Sequence, residues 1–257
     1  MANVSFRMLG DNQGYIARIK AVITNLSFVT LCLTLSGLFF VVTGIQYWLP
    51  SYLKEMFGKE VLGEEEGVDD YMVNFAFAFT CFTAPILGAV AGGVTVTKMG
   101  GYNTVRAQTL QYYMSACAVA CALPIPFLNS FGLVVTLCWF LIFFGGFVLP
   151  TVTGIMINTV PPNQKTSANS LANLAYNLIG YLPAPAIYGA VRTATGSQRI
   201  ALGSILYLTL IIQVLVVVGI RRKLYLEAKE KAMLRSRSSS LKSARESVKD
   251  NISHTHS

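Results

Sequence analysis

Three asparagines, Asn169, Asn173 and Asn177, recur every four residues in the stretch NSLANLAYNLIGYLPAP. On an α-helix that spacing stacks their amides on one stripe, which must look toward something other than lipid. The chemistry such a stripe offers is hydrogen bonding. Groups for bond-breaking chemistry are missing from its surroundings: both histidines, His254 and His256, lie in the last four residues, and no Ser stands in a G-x-S-x-G setting. A Gly-rich phosphate loop is likewise missing. Intramembrane proteases, His-cluster metal transporters and His-based proton relays therefore lose their key residue type. No enzyme and no cofactor are expected. Cys32, Cys81, Cys117, Cys121 and Cys138 fall in apolar stretches. Cys117 and Cys121 share a helical face, but two thiols without a neighbouring His or carboxylate read as packing residues, not a metal site.

The elements that must carry the amide stripe are unusually apolar. Of 257 residues 53% are hydrophobic and 12% charged, and the mean hydropathy is +0.53. Long apolar runs recur at Phe28 to Tyr52, Tyr71 to Val96, Val105 to Phe127, Phe131 to Met156, Thr166 to Val191 and Ile200 to Ile220. Each reaches the roughly 20 residues that a helix needs to cross a bilayer. A β-barrel would show alternating segments of about ten residues instead. The fold class is therefore an all-α polytopic membrane protein, a six-helix bundle over residues 27–221. It is preceded by a 1–26 segment and followed by a basic, Ser-rich tail over 222–257.

Charge sets the expected orientation. Between Ala21 and Ile220 every carboxylate falls between Glu55 and Asp70. On alternate sides of six spans, one side holds Arg7, Arg18, Lys20, Lys98, Arg106, Lys165 and the ten cations of the tail, 16 in all; the other holds Lys54, Lys59, Arg192 and Arg199. Positive charge stays on the cytoplasmic side, so both termini are expected there. The charges do not distinguish a plasma membrane from an endolysosomal one. The sequons at Asn3, Asn25 and Asn251 would then remain unmodified. The start lacks the apolar core of a signal peptide, and Tyr15 to Leu26 is a candidate interfacial helix, a plain linker being the alternative. The tail's Arg221, Arg222 and Lys223 suit anionic membrane lipid rather than nucleic acid, and Ser236, Ser238, Ser239 and Ser240 are candidate phosphorylation sites that would weaken that attraction.

Gly88 and Gly92, with Ala89 and Gly93 beside them, give small-xxx-small spacing for close helix approach. The loop continues as Gly93-x-x-x-Thr97-Lys98-x-Gly100-Gly101. This pattern resembles the G-x-x-x-D-R-x-G-R-R cytoplasmic loop of the major facilitator superfamily, with Thr97 in place of the acid and Gly101 in place of an Arg. The charge relay of that loop is lost here, and a tight turn with one cation survives. FFVVTGIQYWLPSYL, residues 39 to 53, is similar to the end of the seventh helix of the spinster-like branch. VPPNQKTSANSLANLAYNLIGYLPAPAIYGAV resembles the tenth-to-eleventh-helix region, with a G-x-x-P-x-P-x-x-x-G pattern also seen in organic anion transporters.

The resemblance implies the second half of a facilitator, built as a three-plus-three inverted repeat. FFVVTG at 39–44 and FFGGFVLPTVTG at 143–154 would be corresponding pieces. Whole facilitators hold their solute between two six-span bundles. The expected partner is thus the missing N-terminal half, if the gene product is incomplete, or a second copy. In the family the first, second, fourth and fifth spans of each half border the cavity. On that reading Thr43, Gln46, Tyr47, Asn74, Thr151, Asn173, Tyr176 and Asn177 line it, and the solute is small and organic or lipid-like, moved by alternating access. Each of these groups has a plainer alternative, that it ties helices together. Pro50, Pro85, Pro150, Pro183 and Pro185 mark expected kinks. A non-transporting membrane scaffold or assembly subunit is the alternative function; a channel would need a filter or a charged ring, which the spans do not show.

Overall fold

The protein is described by a computed structural model that places residues 14, 17, 19–63, 65–102, 104–219, 221, 225 and 233. Expectations that fall on the first 13 residues and on Tyr15, Arg18, Arg222, Lys223, the tail serines, His254, His256, and the sequons at Asn3 and Asn251 lie outside these. Residues 220–257 form a unit of their own, in which the described positions 221, 225 and 233 are helical.

The bundle unit is built of helices joined by short turns, and among the described residues the one extended pairing is an isolated bridge between Gly58 and Val68. Helix α1 runs Leu26–Phe57, α2 Asp70–Lys98, α3 Val105–Ala122, α4 Phe131–Asn158, α5 Lys165–Ala175, α6 Pro183–Thr195 and α7 Gln198–Leu206, the last prolonged by helical residues 208–219. Among the described residues five stretches are long and apolar enough to cross a membrane: α1, α2, α4, Arg106–Phe127 and Gln198–Gly219. The sixth expected span is a broken one. Lys165–Ala175 passes through a π-helical turn, Tyr176–Tyr181, into α6. The break leaves no single helix of spanning length there, and the amides make Lys165–Ala175 less apolar than the other five.

Caps fix where the helices begin. The Asn25 Oδ1 accepts from the backbone N–H of Ser27 at 3.1 Å and of Phe28 at 3.4 Å, meeting two of the donors that a helix start leaves free. Its Nδ2 donates to the Thr159 carbonyl at 3.0 Å, so the start of α1 is tied to the end of α4. Residues 19–24, within the candidate interfacial helix, are helical. Their Val22 is fully buried in a cluster with Phe28, Val152, Met156 and Ala168, so this stretch packs on the bundle through at least one face. Thr104 caps α3 and Ser197 caps α7 in the same manner as Asn25.

Glycine sets the tightest contact. A Cβ on Gly88 would stand 2.1 Å from the Phe143 carbonyl oxygen, one on Gly92 2.3 Å from that of Phe147, and one on Gly146 2.8 Å from that of Pro85. Backbone meets backbone there, as the small-xxx-small spacing predicts. Gly93 does not join in: a Cβ there would meet nothing within 4 Å. Close approach belongs to Gly88 and Gly92 alone in this run, because Gly93 lies 100° further round the helix. Helix α1 is central and touches α2, α4, α6, α7 and the π turn.

Candidate functional site

Aromatic residues hold the broken span against α1. The Phe39 ring lies 4.6 Å from that of Tyr176 and 4.8 Å from that of Tyr181. Such separations suit tilted aromatic pairs. Gly180 makes the approach possible, since a Cβ there would come within 2.6 Å of the Ser36 carbonyl oxygen. Nine residues beyond Phe39, Trp48 stacks on Tyr188 at 4.5 Å with the rings 15° apart, and its Nε1 donates to the Pro185 carbonyl at 3.1 Å.

The π turn has a local cause. Pro183 and Pro185 have no N–H to continue the ladder, and their rings crowd the preceding turn. The chain responds by widening: the Leu182 N–H reaches back five residues to the Asn177 carbonyl at 3.0 Å. A single-turn π segment of this kind is a frequent companion of functional sites. It also interrupts the spacing on which the amide stripe was read. Asn169 is exposed, Asn173 half-buried and Asn177 exposed.

Asn173, Tyr176 and Asn177 come together. The Tyr176 hydroxyl donates to the Asn173 Oδ1, and the Asn177 Nδ2 donates to the Asn173 backbone carbonyl at 2.7 Å. Among the described hydrogen bonds, none from these side chains crosses to another helix. The amides are thus held by their own helix, leaving the Asn173 Nδ2 and the Asn177 Oδ1 as outward polar atoms.

Along α1, Phe39, Thr43, Gln46 and Tyr47 follow one another at helical spacing on the stripe against which Tyr176 docks. Gln46 is exposed and Tyr47 is 63% exposed, and the Tyr47 ring lies edge-on to Trp48 at 5.1 Å. Thr43 is half-buried, its Oγ1 covered and without a hydrogen-bond partner. Thr151 sits elsewhere: at 1% exposure it is sealed inside the bundle, its Oγ1 also unpaired. Asn74 is exposed on α2, and no described contact joins it to the group.

The loop motif is placed as a turn. Gly100 and Gly101 adopt φ of +94° and +90°, a region that residues with a Cβ rarely enter. The Thr97 hydroxyl donates to the Gly93 carbonyl at 2.8 Å, and Lys98 is exposed in the last turn of α2. Tyr102 then packs on Gly154, where a Cβ would come 2.5 Å from its ring.

A polar network at the opposite end escaped the sequence reading. Helix α1 continues past Tyr52, and the Glu55 in its last turn takes the Arg192 Nη2 at 2.5 Å. The Gln198 Nε2 donates to the same carboxylate and the buried Tyr188 hydroxyl donates to the Gln198 Oε1. Three helix ends, of α1, α6 and α7, meet there. The available signal was the first carboxylate of the acidic run, one turn beyond an apolar stretch and, in the cation tally, on the same expected side as Arg192.

A family model described as Major Facilitator Superfamily matches residues 7–185, more than two thirds of the chain. No curated protein matches the sequence. The matched region takes in α1 to α5, the π turn with its Phe39, Tyr176 and Asn173 contacts, and the Gly100–Gly101 turn. With that match and its all-α polytopic bundle, the chain belongs to the major facilitator superfamily, an integral-membrane family of transporters.

Proposed function

We propose that α1 and the broken α5–α6 span form one wall of a solute path, lined by Thr43, Gln46, Tyr47, Asn173, Tyr176 and Asn177, through which a small organic or lipid-like solute moves by alternating access. The carrying observation is the Phe39–Tyr176–Tyr181 cluster at the π turn, with Asn173 and Asn177 held beside it. This surface is aromatic and amide-bearing, without a charged side chain. It suits a solute with apolar bulk and neutral hydrogen-bonding groups. Asn74 is proposed as a more distant contributor on α2. Thr151 would join only in a conformation that uncovers it.

A six-span bundle supplies one wall, so the second is proposed to come from an N-terminal half or a second copy of the chain. The π turn and its prolines are the proposed bending point as one bundle rocks on the other. The likeness of residues 39–53 to the spinster-like branch supports a lipid-like solute, the organic-anion-transporter-like pattern in 160–191 supports a small organic one, and the cation tally favours cytoplasmic termini. The test is solute uptake by full-length protein with Asn169, Asn173 or Asn177 replaced by Leu. Uptake should fall for the second and third while surface expression holds, and Asn169→Leu should matter least. Loss confined to Asn169→Leu would remove the wall from this stripe.

A further inference from the structure

The end of the bundle that carries the Glu55 network holds four cations, and three have carboxylate partners. Lys54 pairs with Asp70 at 2.5 Å, Lys59 with Asp69 at 2.8 Å and Arg192 with Glu55 at 2.5 Å. Arg199 differs: among the described residues its hydrogen bond goes to a neutral amide, the Asn129 Oδ1, at 2.5 Å. It is therefore the one cation described on this end without a carboxylate partner, on an end whose carboxylates outnumber its cations.

Arg199 also lines a cavity of about 470 Å³ between the turn after α3 and the first two turns of α7. The other walls are Pro126, Phe127, Ile200, Gly203 and Tyr207, with Ser197 and Ser204, whose hydroxyls are engaged by the backbone of α7. Phe127 is 72% and Ile200 55% exposed, so an apolar trough opens outward beneath a cation. Gly203 forms part of its floor: a Cβ there would stand 3.4 Å from the Tyr207 ring and 3.6 Å from Pro126. Apolar surface of that kind beside a single charge at a helix start, where a span leaves the hydrocarbon, matches one ligand. It must present an anionic group at the interface and a chain below it.

We infer that this trough is a binding site for one anionic phospholipid of the surrounding bilayer, its phosphodiester at Arg199 and an acyl chain along Phe127, Ile200 and Tyr207. The guanidinium without a carboxylate partner selects the headgroup: a zwitterionic lipid brings its own cation and gains less from it. Arg suits the role because its planar fork meets two phosphate oxygens at once. The site is separate from the proposed solute wall, which lies on α1 and the broken span, so it stands or falls independently of that wall.

The experiment is lipid retention by the purified full chain in nanodiscs of equal palmitoyl-oleoyl phosphatidylglycerol and phosphatidylcholine, released into the gas phase and weighed. The unaltered chain should keep phosphatidylglycerol over phosphatidylcholine by about fivefold, the ratio that corresponds to roughly 1 kcal/mol for one cation at a membrane surface. Arg199→Gln should abolish the preference. Gly203→Leu, which fills the trough and keeps the charge, should lower retention of both lipids, whereas Lys54→Gln should change neither. A preference that survives Arg199→Gln, or retention untouched by Gly203→Leu in a chain of normal melting temperature, would overturn the site. If Gly203→Leu does not fold, Ile200→Glu at the exposed wall takes its place under the same criterion. Displacement of the lipid by 10 mM inorganic phosphate would also overturn it, since a free anion gains nothing from the trough.

Discussion

Arg192 Nη2 lies 2.5 Å from Glu55 Oε1 and so joins the last turn of α6 to the last turn of α1. Both side chains are more than a third exposed, which limits what the pair contributes. A double-mutant cycle with Glu55→Ala and Arg192→Ala should give a coupling of about 0.5–1 kcal/mol. Glu55→Ala alone should cost more than Arg192→Ala, because it also strips an acceptor from the buried Gln198. Denaturant unfolding in detergent measures both, and equal costs with no coupling would show that the network is only surface decoration.

Gly92 and Gly93 are neighbours with opposite surroundings. Gly92→Ala should destabilise by about 1–3 kcal/mol, since the added methyl meets the rigid Phe147 carbonyl instead of a side chain that can turn away. Gly93→Ala enters open space and should leave the melting temperature unchanged or slightly raised. If both variants melt together, the helix crossing at Gly88, Gly92 and Gly146 is not as close as described.

The Gly100–Gly101 turn yields a third expectation. Each residue replaced by Ala should lose about 1–2 kcal/mol, the cost of holding a Cβ at positive φ. Asn should be tolerated better than Ala at the same positions. Thermal unfolding of the four single variants checks the order, and an Ala variant as stable as the Asn one would contradict it.

Pro183 holds the π turn open. Pro183→Ala restores an N–H donor and should raise thermal stability, by less than the roughly 3 kcal/mol of a mid-helix proline because Pro183 stands at the first position of α6. Uptake should fall, since the bending point stiffens. Higher stability with full uptake would leave the π turn without a part in transport.

A new sequon made by Leu62→Asn with Glu64→Thr should be glycosylated if the loop between α1 and α2 is outside. Asn25 should stay unmodified whatever the topology, because its amide is engaged by three backbone groups. Endoglycosidase mobility shifts read both. An unused sequon at position 62 would count against the proposed orientation, and a modified Asn25 would show that its amide is not held as described.

How much could be read from the chain itself differs by element. Five spans were legible because uninterrupted apolar length is what a bilayer demands, and α1, α2 and α4 each run to about 30 residues. The glycine crossing was legible at Gly88 and Gly92, since small residues four apart have few other uses in a span. Gly93 was misjudged because its neighbours' pattern, not its own angle on the helix, suggested contact. The amide stripe was legible as a spacing of four, but the π turn that follows Asn173 depends on how Pro183 and Pro185 settle against α1. Glu55 and Arg192 lie 137 residues apart, and nothing local to either announces the other.

Gln46, Tyr47 and Asn177, all exposed, are proposed to face water and solute. In a background with all five cysteines replaced, Gln46→Cys, Tyr47→Cys and Asn177→Cys should react with a membrane-impermeant maleimide, and solute should slow the reaction. Val90→Cys and Ile211→Cys, exposed on apolar faces, should stay unlabelled. Labelling of Val90→Cys and Ile211→Cys with no labelling of Gln46→Cys, Tyr47→Cys or Asn177→Cys would show that the wall faces lipid and contradict the account.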